Sequence, residues 1–239
     1  MGGKIFPLVP QKSMKQSKNY KSIAEKIEKR AYSLEEAIKF LVENPSAKFD
    51  ESLEIHIRVN IDPKKGDQQV RSSITLPHGI GKERKIAVLT STAQEEAKKA
   101  GADFVGNEES IADIKSGKFF EGKYDVLIAT PEMMPKLAPV ARILGPKGLM
   151  PNPKNETVTT KVAQVIESLK KGKVQFKNDD TRNIHQIIGK RSMGVQKLVE
   201  NGTSLLEAIR KSKPDSVKGK FVVNTTMCAT MSPSILIEW

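Results

Sequence analysis

The chain has 239 residues, 38% hydrophobic and 28% charged, which is enough apolar content for packed cores and excludes general disorder. Lys and Arg number 40 against 28 Asp and Glu, and the resulting +12 suits a polyanionic partner, because cationic side chains displace counterions condensed on a phosphate backbone. No apolar run approaches the ~20 residues of a membrane-spanning helix, so no membrane partner is expected; the single cysteine, Cys228, excludes an internal disulfide or a cysteine-based zinc site and points to a reducing compartment.

Through residue 24 the chain carries Lys4, Lys12, Lys15, Lys18 and Lys21 and no acidic residue, which reads as a solvated basic arm. An organellar transit segment shares that look but would carry arginine, absent here. Ser33 with Glu36 forms a capping box, and Leu34, Ala37, Ile38, Leu41 and Val42 follow at helical spacing until Asn44-Pro45. Over 52–61 the pattern alternates, with Leu53, Ile55, Ile57, Val59 and Ile61 on one face. That predicts a half-buried antiparallel strand, and the alternation at 70–76 is expected to pair with it.

The pattern changes after Pro77-His78-Gly79-Ile80-Gly81. Residues 85–89 read as a buried strand, followed by a helix capped by Thr92 with Glu95 and ending at Gly101. A strand at 103–105, a helix near 110–115 and a strand at 124–129 come next, and Thr130-Pro131 is expected to cap and open a further helix. Strands alternating with helices predict a parallel sheet covered on both faces. Beyond the loop near 145–154, a helix is expected over 160–171, strands at 173–177 and 184–188, a helix at 195–211, and strands at 219–226 and 235–237. The predicted fold is an α+β split domain, two layers with an antiparallel sheet and helices, built from residues 1–78 and 172–239. An α/β Rossmann-like domain, 79–171, is inserted into it.

No enzyme motif emerges. His78-Gly79-Ile80-Gly81-Lys82 lacks the Ser or Thr and the spacing of a phosphate loop, and no dinucleotide fingerprint follows the 85–90 strand. His56, His78 and His185 have no metal-ligand spacing, no nucleophile–base pair stands out, and Cys228 reads as a buried inert thiol. The sequence therefore predicts no catalytic residue, no cofactor and no metal. Aromatic residues are only 5%, which argues against an extended base-stacking platform.

The basic and polar strings offer more. Lys48, Phe49 and Ser52 precede the first strand. Phe49 is either a core residue or an aromatic face for a base, beside Lys48 for phosphate and Ser52 for a 2′-hydroxyl. The tail string 229–234 reads as a polar turn. Residues 145–154 hold three prolines, two glycines and two lysines, a stiff cationic loop that serves either function or a rigid connection.

Together these strings resemble the first protein of the large ribosomal subunit in its bacterial form, the ribosomal protein L-one family. GPKGLMPNPK at 145–154 is close to that family's signature. SAKFDESLE from Ser46, IDPKKGDQQVR from Ile61, LPHGIGK from Leu76, AGADFVG from Ala100 and IATPEMM from Ile128 follow in the family's order. The resemblance runs from about residue 20 to 237 and is similar to the family in having a domain inserted into a split one. It implies a cytoplasmic, ribosome-associated protein, or one of an organellar ribosome, and not an enzyme. The implied partners are large-subunit ribosomal RNA, the large ribosomal subunit at its exit-site stalk, exit-site tRNA and the protein's own messenger RNA, whose translation it would repress. By matching motifs, the resemblance implies RNA contacts from Lys48, Phe49 and Ser52, from Phe176, Lys177, Asn178, Asp179 and His185, and from Thr230, Met231 and Ser232. The signature loop contributes Gly145, Pro146, Lys147, Gly148, Pro151, Asn152, Pro153 and Lys154.

The sequence departs from the family pattern at three positions. Ser232 stands where Gly is usual, and a side chain there is expected to cost about 1 kcal/mol where the backbone approaches a ribose closely or is left-handed. Asp180 stands where Lys is general, with Arg182 able to restore the charge, and Asn224 stands where Ser is common.

Overall fold

The computed structural model describes residues 17–28, 30–122 and 124–238; Lys4, Lys12 and Lys15 of the expected arm lie outside the described residues. From Lys18 on, the expected basic arm is helical. The Ser17 hydroxyl accepts from the Tyr20 amide and opens α1 (Lys18–Lys26), which buries Ile23. Both halves of the Ser33–Glu36 capping box are present at α2 (Leu34–Glu43), and Ala37, Ile38 and Leu41 are buried from its apolar face.

The alternation at 52–59 forms β1 (Ser52–Val59), with Leu53, Ile55, Ile57 and Val59 buried and Arg58 exposed. It lies between β7 (Asn183–Lys190) and β8 (Val222–Ala229), antiparallel to both, and β9 (Ile235–Ile237) pairs antiparallel with β8. The expected pairing of 70–76 with β1 is corrected. β2 (Arg71–Thr75) instead pairs antiparallel with β6 (Lys173–Lys177), from Arg71 opposite Lys177 to Thr75 opposite Lys173. Both edges of β1 are already taken, and the intervening loop, with its 3₁₀ turn Gly66–Gln68, is no hairpin connection.

Beneath the four-stranded sheet, α2 packs against α8 (Val195–Lys211). Ile38, Leu41, Ile55, Ile57, Leu205, Ile209 and Met227 share one core, to which β2 and β6 add Ile74, Val174 and Phe176. Each such side chain contributes roughly 1.5–3 kcal/mol by leaving water. Both ends of the chain therefore feed one apolar cluster.

The middle segment forms a parallel sheet in which β3 (Ile86–Leu89) lies between β4 (Phe104–Gly106) and β5 (Val126–Ala129). Every β3 residue is buried, as the apolar run predicts. Ile86 and Val88 pack with Ala97 of α3 (Gln94–Lys99) and Val162 and Ile166 of α7 (Val162–Lys170). On the other face Ala87 and Leu89 meet Ile114 of α4 (Ser110–Ser116), Leu137 of α5 (Met134–Leu137) and Leu144 of α6 (Ala141–Leu144).

Two expected caps are corrected. Thr92 does not cap α3; the Thr90 hydroxyl accepts from the Thr92 and Ala93 amides instead. The Thr130 hydroxyl is buried without a hydrogen-bond partner and caps nothing. The segment it opens is a run of short turns rather than one helix, because Pro135 and Pro139 remove amide donors.

The chain passes between these two groups of elements at 76–81 and again at 171–173. There Gly172 has φ +97°, and a Cβ on it would sit 2.3 Å from the Gly79 Cα. The buried Asn201 amide donates to the Gly79 and Ile188 carbonyls and accepts from the His78 amide, tying this junction to α8 and β7.

Candidate nucleic-acid interface

At the Ser52 end of β1 the fold brings two distant strings together. Phe49 and Met231 are 52% and 57% exposed, which settles Phe49 as a surface aromatic and not a core residue. Lys48 is also exposed. The Ser52 amide donates to the Thr230 hydroxyl at 3.1 Å, and that hydroxyl donates to the Ser52 carbonyl at 3.4 Å. Thr230 therefore spends its oxygen stapling β1 to the tail loop. Ser232 is corrected too. Its backbone is not left-handed, and its hydroxyl accepts from the Ala229 amide at 2.8 Å and donates to the Pro233 carbonyl, so it closes the turn rather than straining it.

The residue that organises this end is Glu51, fully buried. Its carboxylate accepts from the Ser46 amide at 3.0 Å and the Met231 amide at 3.2 Å, with Arg191 Nη1 3.6 Å away. Asp50 beside it accepts from the Ser192 amide and hydroxyl, at 3.0 and 2.7 Å. Hydrogen bonds to ionised groups are the stronger kind, so a few of them hold both loops in place. The sequence reading missed Glu51, although a signal was there: it has the same strand parity as Leu53 and Ile55 and so had to face inward.

The third string divides. Phe176 is 2% exposed within the core beneath the sheet, and its assignment as an RNA contact is corrected: β6 alternation turns it inward. Asn178 is half-buried, its side-chain oxygen accepting from the Val70 amide at 2.7 Å and its amide donating to the Asp179 carbonyl, so it fastens β2 to the 178–183 turn. Lys177 remains exposed. Desolvation disfavours the Asp179 carboxylate. The Thr181 hydroxyl, the Asn183 and Thr181 amides and His185 outweigh that effect and hold its pKa at about 2.

His56 and His185, read as unrelated in sequence, face each other across β1 and β7 with their Nδ1 atoms 2.8 Å apart. His56 Nε2 lies 3.1 Å from Cys228 Sγ, and His185 Nε2 lies 3.5 Å from Asp179 Oδ2. Burial, then Glu54, pushes the Cys228 thiol up, so it is the donor to His56. The chain then runs one way: thiol to His56, His56 Nδ1–H to His185, and His185 Nε2–H to the Asp179 carboxylate. These tautomers are assigned from the network. Cys228 is half-buried, not enclosed as expected. No group of three or more His, Cys, Asp or Glu among the described residues could hold a metal ion, and no described helix is long and apolar enough to cross a membrane.

The signature loop stands apart from this sheet. Gly145, Pro146, Lys147 and Gly148 are exposed, and Lys147 Nζ sits 3.3 Å above the centre of the Phe120 ring. Gly148, at φ +70°, closes a turn by donating to the Gly145 carbonyl. Pro151 is buried, and the Asn152 amide donates to the Thr157 hydroxyl at 2.8 Å. Pro153 opens the 3₁₀ turn Pro153–Asn155; the side chain of Lys154 lies outside the described part of the molecule. From that turn, Asn155 accepts from Arg71 Nε and from the Gln175 side chain, and Glu156 pairs with Lys173. Through these bonds the end of the loop is fastened to the β2–β6 pair.

A family model described as the ribosomal protein L1p/L10e family matches residues 41–233. Among curated proteins, the chain is 48% identical over 223 residues to the large ribosomal subunit protein uL1 of Mesoplasma florum, covering 93% of this chain and 97% of that protein. It is 49% identical to uL1 of Kosmotoga olearia, covering 94% and 96%. It is also 46% identical to the protein named uL1c of Phaeodactylum tricornutum, covering 94% and 97%.

Proposed function

The chain belongs to the ribosomal protein L1p/L10e family, and from that premise we propose that it is a structural constituent of the large ribosomal subunit, associated with the ribosome in the cytoplasm. It binds large-subunit ribosomal RNA through the four-stranded sheet and the loops at the Ser52 end of β1. There it forms a mobile stalk at the exit site and assists release of deacylated tRNA. It also binds a similar fold in its own messenger RNA and represses translation. In this reading residues 1–78 and 172–239 form the RNA-binding domain, with 79–171 inserted, and no residue is catalytic.

The observation that carries the reading is the juxtaposition of Phe49 and Met231. Two large apolar side chains stay exposed on adjacent loops that a buried carboxylate holds in place. An exposed aromatic fixed in position is a stacking surface for unpaired bases, and the surplus of cations supplies phosphate contacts. Lys48, Ser52, Lys177, Asp179 and His185 extend this surface, whereas Phe176 and Asn178 support it from within.

Sedimentation tests the assignment. The protein should travel with large subunits through a sucrose gradient at moderate salt and leave them at high salt. Recovery only in the soluble fraction, bound to its messenger RNA, would make repression its main role.

A further inference from the structure

The far end of β1 gathers cations that lie far apart in the sequence, Arg182 among them. Three loops meet there around an open cup of ≈ 530 Å³. Lys64 and Lys65 come from the β1–β2 loop, Arg182 from the β6–β7 turn and Lys218 from the α8–β8 loop, with Asn60 and Ser216 between them. All four cations are exposed, and among the described residues none has an acidic partner within 4.0 Å. The one acidic residue of the lining, Asp62, accepts from the Lys64 amide.

Arg182 is held in place at a cost. It has φ +71°, a left-handed conformation unfavourable for a side chain with a Cβ. The turn enforces it: the Arg182 amide donates to the Asp179 carbonyl, its carbonyl accepts from the Val59 amide, and the Asp179 carboxylate collects the Thr181 and Asn183 amides. A strained residue kept by so many bonds, with a free guanidinium, points to use of that guanidinium.

We propose that Lys64, Lys65, Arg182 and Lys218 form a second phosphate-contact site for the RNA partner, so that the bound RNA spans the length of β1. The inference rests on the RNA-binding reading above. Between the two ends Arg58, Asn183, His185, Asn224 and Thr226 line one groove, with Tyr20 and Cys228 beside them. With a rise of about 3.3 Å per residue, the eight residues of β1 separate the cup from the Phe49–Met231 loops by roughly 23 Å. The apolar members of the cup, Ile61 and Val217, are buried, so the surface offers charge and hydrogen bonds and suits a phosphate backbone.

The test is a salt titration of binding to transcribed large-subunit ribosomal RNA, using full-length protein. Replacing all four cations by Gln should lower the log–log salt slope by about 3, at about 0.7–0.9 per contact, and weaken binding at least tenfold at moderate salt. Lys98→Gln with Lys99→Gln serves as a control for net charge alone, and Arg182→Gln with Lys218→Gln covers failure of the fourfold variant to fold. For that pair the slope should fall by about 1.5. An unchanged slope in a folded cup variant, or an equal fall per charge in the control, overturns the cup. Absence of RNA binding by the unaltered protein overturns the RNA reading itself.

Discussion

The amide of Met231 donates to the buried carboxylate of Glu51 at 3.2 Å, across 180 residues of sequence. That one carboxylate also holds Ser46, so the two loops that present Phe49 and Met231 share an anchor. Glu51→Ala would leave two amides without their acceptor and Arg191 without its counter-ion, and we expect a loss of about 3–5 kcal/mol of stability. Glu51→Gln retains an acceptor oxygen and should cost less, about 1–3 kcal/mol. Chemical denaturation of both variants checks the order; equal, negligible losses would mean that the loops hold without the carboxylate.

Phe49 and Phe176 should separate cleanly. With 52% of its surface exposed, Phe49→Ala should change stability by no more than about 0.5 kcal/mol. Phe176→Ala removes a ring from the core and should cost about 3–5 kcal/mol. Thermal melts of the two variants decide it, and a collapsed melt for Phe49→Ala would return that residue to the core.

Acidification should act through the paired histidines. Burial first, then the charge of His185, lowers the His56 pKa from 6.5, with Glu54 opposing. In the window just below 6.5 the unfolded chain therefore binds more protons than the folded one. The contribution of His56 to stability is full above pH 6.5 and declines as pH falls through that window. The His56 imidazole resonance should titrate below 6.5. Between pH 7.5 and 5.5, His56→Gln should lose less melting temperature than the unaltered chain; an identical loss would remove His56 from the account.

The junction between the two groups of elements leaves no room at Gly172. A methyl group there meets the Gly79 Cα at 2.3 Å, on a backbone that L-residues rarely adopt. Gly172→Ala should destabilise by more than about 1 kcal/mol, whereas Gly66→Ala, in open space, should be nearly neutral. Matched denaturation curves compare them.

Local signals in the sequence were enough for much of this fold. The capping box at Ser33, the alternation of β1 and the apolar run of β3 each encode their element and its buried face. Pairing across distance was not legible: nothing local says that β1 is taken by β7 and β8, leaving β2 to β6. The same gap hid the meeting of His56 with His185 and Cys228, and of Glu51 with Met231, because cross-strand partners are set by tertiary topology. Motif matching placed Phe49 and Met231 correctly at the surface but carried Phe176 with its neighbours, where strand parity turns it inward.

The central claim is that the Phe49–Met231 end of the sheet takes up ribosomal RNA. It is tested most directly by the affinity of Phe49→Ala with Met231→Ala for transcribed large-subunit ribosomal RNA, at fixed salt and with the unfolding midpoint measured beside it. We expect a loss of about 2–4 kcal/mol in binding, at about 1–3 for a stacked aromatic alone, with an unmoved midpoint. Undiminished affinity in the folded double variant would contradict the account.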